Sequence, residues 1–108
     1  MTPPLTLRDQ GVGLIVRYRT EAHPLGPASP TRFGCAVRRK AVASSVERNR
    51  LKRWLREAFR RNRPAIPPGL DLVAVVYEGR VKWSYQELES QFLELVGRLK
   101  ERRGSSGR

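Results

Sequence analysis

A single small α/β (α+β) domain, with its elements in the order β-β-α-β-α, is what the 108-residue chain predicts. Three observations carry that expectation. Two segments alternate apolar and basic residues, as half-buried strands do. A long stretch between them and the next strand repeats its apolar residues with helical spacing. An uninterrupted apolar run is then followed by a second helix-spaced segment. We expect residues 1–103 to form the domain, with an irregular start over 1–13 and a disordered tail at 104–108.

Met1 to Gly13 is punctuated by Pro and Gly and reads as irregular. Leu14 to Thr20 (LIVRYRT) reads as a strand, with Leu14, Val16 and Tyr18 on one side and Arg17 and Arg19 on the other. His23 to Pro30 is a turn-rich loop. Thr31 to Lys40 (TRFGCAVRRK) predicts a second strand, antiparallel to the first, with Phe33, Cys35 and Val37 inward. Arg32, Gly34, Ala36, Arg38 and Lys40 then face outward and leave a flat basic surface.

Ser44 to Arg63 is the segment on which the rest is organised. Leu51, Trp54, Leu55, Ala58 and Phe59 share one helical face, and Asn49, Lys52, Arg53, Arg56, Arg60 and Arg63 the other. Ser44 and Glu47 have the spacing of a capping box, and Pro64 is the stop. Leu72 to Tyr77 reads as a central strand covered on both faces. Ser84 and Glu87 form a second capping box, Trp83 can staple onto Leu88, and Leu88, Phe92, Leu95, Val96 and Leu99 form a core stripe.

Charge narrows the function. The chain carries 22 Lys+Arg against 10 Asp+Glu, a net charge of +12. Eight of the sixteen residues from Arg48 to Arg63 are basic and only Glu57 is acidic, so an outside anion is needed to relieve the repulsion. Arginine dominates, and guanidinium forks match phosphate oxygens. A lone Cys35 rules out an intramolecular disulfide and points to a reducing compartment. No apolar run approaches the ~20 residues of a membrane span, which makes the cytoplasm the expected location.

No protein-borne active site is legible. His23 is the single histidine and lies in a Pro/Gly loop as a solvated residue. Cys35 is inward on a strand and behaves as a small hydrophobe. No Cys/His spacing fits zinc, and no Gly-rich phosphate loop precedes a helix. Asp71 enters a strand from a turn, where a local backbone hydrogen bond is expected. Trp54, Phe59 and Tyr18 read as core rather than as base-stacking platforms.

The run ERNRLKRWLREAFR resembles the signature of the bacterial ribonuclease P protein component. A strand of the type RFGCAVRRK precedes it, and PPGLDLVAVV and WSYQELE follow in the family's order. The resemblance covers Thr31 to Leu99. It implies a small mixed sheet in a two-layer sandwich, with a left-handed βαβ crossover through the basic helix. It implies a catalytic RNA subunit as partner and precursor tRNA as substrate, with endonucleolytic 5′ maturation carried out by Mg²⁺ held mainly by the RNA. Arg48, Asn49, Arg53 and Arg56, with Arg50, Lys52 and Arg60 nearby, would dock that RNA. Neither a membrane nor DNA is expected as partner.

Two departures accompany the resemblance. Ala43 and Ser45 stand where the family has a Gly and an Ala before the triplet Arg48-Asn49-Arg50. Family members also open on a basic helix with phenylalanines that help bind the 5′ leader, and Met1 to Gly13 holds no aromatic residue. Either the start is truncated or the leader cleft is built differently. Strand alternation alone nominates Arg17, Arg19, Arg32, Arg38 and Lys40 as leader or tRNA contacts. Two rival readings compete: a ribosomal or ribosome-assembly RNA-binding protein, and a basic amphipathic helix acting on anionic lipid.

Overall fold

The structure is a computed structural model that describes residues 5–9, 11–77 and 83–106. Its elements are β1 (Leu5–Asp9), β2 (Val12–Tyr18), β3 (Arg32–Val37), α1 (Ser45–Arg61), a 3₁₀ turn (Arg63–Ala65), β4 (Leu70–Val76) and α2 (Tyr85–Ser106). The sheet order is β1-β2-β4-β3. β1 with β2 and β2 with β4 are antiparallel, whereas β3 runs parallel to β4. α1 is therefore the crossover between two adjacent parallel strands.

Both helices cover one face of the sheet. α1 packs on β3, α2 on β1 and β2, and the helices touch each other. Leu7, Leu14, Val16, Leu72, Ala74 and Val76 from the sheet join Leu51, Leu55, Phe59, Leu88, Phe92, Leu95 and Leu99 from the helices in one core. Phe33 ties the layers together. Its ring stacks on Phe59 at 4.5 Å and meets Phe92 edge-on at 5.7 Å.

The helix ends follow local chemistry. The Ser44 hydroxyl accepts the Glu47 amide proton at 3.3 Å, but the Glu47 carboxylate turns to Arg50 instead of closing the box. α1 ends at Arg61, short of the expected Arg63, because the Pro64 ring would meet the Arg60 carbonyl in a continued helix. Asn62 caps it, its Nδ2 donating to the Ala58 carbonyl at 2.8 Å and to Glu89 of α2 at 3.1 Å. At α2 both halves of the capping box form between Ser84 and Glu87.

Five expectations are corrected. The start is not irregular: Leu5–Asp9 is a strand paired with β2 through a tight connection that includes Gly11 at φ 91°. The leucines at 5 and 7 alternate with Thr6 and Arg8, a short period that the surrounding Pro and Gly obscure. β3 is not antiparallel to the first predicted strand; it neighbours β4, because the α1 crossover returns the chain in the same direction. β4 is central, but among the described residues the helices cover one of its faces only: on the other face Val73 is 36% exposed, while Val75 is buried. Tyr18 lies past the edge of the helical layer and is 43% exposed rather than core. α2 continues to Ser106, through Gly104 and Ser105 of the expected tail, because a helix already nucleated adds one backbone hydrogen bond for each further residue. Positions 1–4 and 10 of the start and 107–108 of the tail lie outside the described residues.

Gly69 holds the loop of residues 20–30 against the entry to β4. Its φ is 82°, its N–H donates to the Ser29 carbonyl, and a Cβ there would collide with the Pro27 carbonyl oxygen. Gly69→Ala is expected to lower stability by about 2 kcal/mol, read from the urea midpoint.

Candidate nucleic-acid interface

The cations of α1 fall into two groups. Arg48 is half-buried and donates to the carbonyls of Val42 and Ala43 at 2.9 and 2.6 Å, which anchors the helix entry. Arg50 pairs with Glu47 at 3.2 Å, and Arg60 forks onto Glu57 at 2.8 Å. Arg61 lies over the Tyr85 ring, 5.8 Å from its centroid. Asn49, Lys52, Arg53 and Arg56 carry no ion pair or side-chain hydrogen bond among the described residues. Their spacing of i, i+3, i+4, i+7 sets them in one row along the helix. Of the seven residues nominated on this helix, these four are the ones whose polar groups remain available to a ligand.

The apolar face beneath that row is closed. Leu51, Leu55, Ala58 and Phe59 are buried, and Trp54 packs partly against the same core. A lipid surface has no apolar stripe here to engage, which removes the membrane-helix reading. Among the described residues no helix is long and apolar enough to cross a membrane.

Cys35 lies under α1 and its Sγ donates to the Lys52 carbonyl at 3.6 Å. Burial pushes its thiol up, and the nearby Arg56 and Lys52 charges oppose this without reversing it. The group stays a thiol near neutral pH, as expected of a packed rather than nucleophilic cysteine.

The uncovered face of the sheet is the second basic surface. Cross-strand register sets Arg17, Asp71 and Arg32 in one row, Ile15, Val73 and Gly34 in the next, and Gly13, Val75 and Ala36 in a third. Arg17, Arg32, Arg38 and Lys40 are exposed, but β3 ends at Val37, short of the expected Lys40, so strand alternation does not reach Lys40, which lies in the turn that follows. Arg32 is held by Asp71, Nε to Oδ1 at 3.0 Å and Nη2 to Oδ2 at 3.1 Å. Arg8, which sequence alternation nominated nowhere, lies opposite Gly13 on this face and is exposed.

Arg19 is corrected. It is 5% exposed and presents no charge to a ligand. Its guanidinium bonds Asp71 at 3.0 Å and the carbonyls of Gly26, Ser29 and Pro30 at 3.0, 2.6 and 2.7 Å. Strand alternation stops at Tyr18, so the outward assignment failed one residue beyond the ladder. Asp71 is likewise not a local turn residue. It gathers Arg19, Arg32 and, at 3.9 Å, His23 Nε2. The Arg32 fork above all, with Arg19, holds its carboxyl below the usual carboxylate range against the opposing push of partial burial. His23 is thus part of this cluster and not simply solvated; its Nδ1 accepts the Leu25 amide proton at 3.1 Å.

A two-layer α+β fold whose crossover helix carries, among the described residues, a row of unpaired cations, and whose sheet has a basic face that the helices do not cover, defines a nucleic-acid-binding protein. The chain matches the family model described as Ribonuclease P over residues 6–100 and belongs to that family. It is 36% identical over 98 residues to the ribonuclease P protein component of Stutzerimonas stutzeri, covering 91% of this chain and 69% of that one. It is 49% identical over 45 residues to the corresponding component of Thermotoga maritima, a stretch that spans 38% of that relative's length. Among solved structures it resembles the RNase P protein of Thermotoga maritima with a TM-score of 0.69 and 27% identity, over 88% of this chain and 83% of the other. An RNase P protein of Staphylococcus aureus shares the fold at a TM-score of 0.74 and 16% identity, over 90% and 75% of the two chains. The ribosomal reading is not favoured by these matches.

Proposed function

We propose that this chain is the protein subunit of ribonuclease P, working in the cytoplasm on the 5′ maturation of precursor tRNA. The row Asn49, Lys52, Arg53 and Arg56 docks the catalytic RNA, and the uncovered sheet face with Arg17, Arg32 and Arg38, together with Lys40 in the turn after β3, receives the single-stranded 5′ leader. The observation that carries this reading is the sorting of α1, which pairs Arg50 and Arg60 internally and leaves Lys52, Arg53 and Arg56, in one row with Asn49, without ion-pair partners among the described residues.

The hydrolytic centre belongs to the RNA in this reading. Among the described residues no three His, Cys, Asp or Glu side chains gather to hold a cation, and Asp71 is engaged by guanidinium groups. These residues do not fit Mg²⁺, which in this reading is held mainly by the partner RNA. What the protein contributes is positive charge and orientation at phosphates, which fix register rather than read sequence.

Sequencing the RNA that copurifies with the protein tests the assignment; ribosomal RNA in place of the ribonuclease P RNA overturns it. Affinity should also respond to salt. With about five phosphates neutralised, log K is expected to fall against log salt with a slope of roughly −4. A flat titration would point to a partner bound through apolar surface.

A further inference from the structure

Among the described residues, Tyr77 is the aromatic side chain on the uncovered sheet face. It follows the buried Val76 at the end of β4, and its N–H donates to the Gly11 carbonyl at 2.7 Å, which fixes the backbone there. Its ring lies over Gly13. A Cβ built at Gly13 would stand 2.6 Å from Tyr77 Cε2, so glycine is what lets the ring rest against bare strand. Two guanidinium groups flank it, Arg8 Cζ at 4.1 Å from the ring centroid and Arg38 Cζ at 5.9 Å.

We infer that Tyr77 is a stacking step for one unpaired base of single-stranded RNA crossing the sheet, with Arg8 and Arg38 turning from the ring to the phosphates on either side of that base. This rests on the reading of the uncovered face as the leader surface. Arg8 now occupies the position over the ring that the base would take. A cation–π contact at an exposed site is weaker than a base–aromatic stack, so exchange favours the base and frees the guanidinium for phosphate. The Arg17–Asp71–Arg32 row lies four residues along β2 from Gly13, about 14 Å away. One extended strand of RNA can therefore meet Tyr77 at one end of the face and the arginine row at the other.

The test uses the full chain and a single-stranded RNA of about six nucleotides carrying 2-aminopurine, titrated by fluorescence quenching. Tyr77→Leu should weaken binding about tenfold and abolish quenching at one position, while Tyr77→Phe keeps both. Gly13→Ala, which lifts the ring off the strand without deleting it, should lower quenching as Tyr77→Leu does. Affinity for the catalytic RNA should stay at the wild-type value in all three. If Tyr77→Leu binds and quenches as wild type while Arg17→Ala with Arg38→Ala weakens binding, the stacking step is refuted and the sheet-face reading stands. If neither set changes binding of the single strand, the sheet-face reading falls as well.

Discussion

Replacing Arg53 and Arg56 together with alanine is expected to lower affinity for the catalytic RNA about a hundredfold, ~2.7 kcal/mol for two charge-assisted contacts. Both side chains are exposed, with no ion pair or side-chain hydrogen bond among the described residues, so folding should be unaffected within ~0.5 kcal/mol. The informative control is Arg50→Ala with Arg60→Ala. These remove the same formal charge from the same helix, but from residues already paired with Glu47 and Glu57. Binding an RNA phosphate there requires giving up a carboxylate, so the control should lose much less affinity. Equal losses in the two double variants would mean that only total charge matters and that the row has no special place. Filter binding at fixed salt decides the comparison.

Asp71→Ala is expected to cost about 3 kcal/mol of stability, measured by urea unfolding. The Arg19 guanidinium is fully shielded from solvent, and Asp71 is its one carboxylate partner among the described residues. Deleting the acid leaves a buried cation with only the carbonyls of Gly26, Ser29 and Pro30. Asp71→Asn should fall between, because an amide oxygen still accepts a hydrogen bond. The pH dependence has a definite sign. A carboxyl whose folded pKa is depressed binds fewer protons folded than unfolded, so its contribution is complete above the unfolded value. It is lost as pH falls from the ordinary aspartate range, near 3.8, through the lower folded value. Wild type should therefore lose stability in that acid window more steeply than Asp71→Ala. Parallel acid curves for the two would show that Asp71 is not linked to folding.

What the sequence discloses is what a short window determines. The buried side of α1, the serine caps of both helices and the stripe of α2 follow from spacings of three and four residues, and each was legible. The inward set Phe33, Cys35 and Val37 follows from a period of two. The pairings Glu47–Arg50 and Glu57–Arg60 were in reach by the same local logic, three residues apart, and would have divided the basic helix beforehand. The failures share a different origin. The Arg19–Asp71 contact spans 52 residues of sequence. The parallel pairing of β3 with β4 depends on where a crossover returns the chain. The exposure of Val73 depends on the absence of a layer over one face, which an apolar run does not reveal. Leu5–Asp9 was missed for a smaller reason, since five alternating residues between a proline pair and two glycines read as punctuation.

The sheet order also sets a sequence of events during synthesis. β4 lies between β2 and β3, yet it is the last strand made. As the chain emerges from its N-terminus, β1 and β2 can close as a hairpin, and β3 can pack with α1 through local contacts. Neither half can join the other until Val76 has been added. Until then β2 and β3 each present a row of unsatisfied backbone groups, the kind of edge that recruits other strands. The two halves acquire a common core in one late step, when the most apolar strand of the protein is inserted between them. Rate should accordingly follow β4, so substitutions in β4 such as Ala74→Gly should slow refolding more than equally destabilising ones in β1.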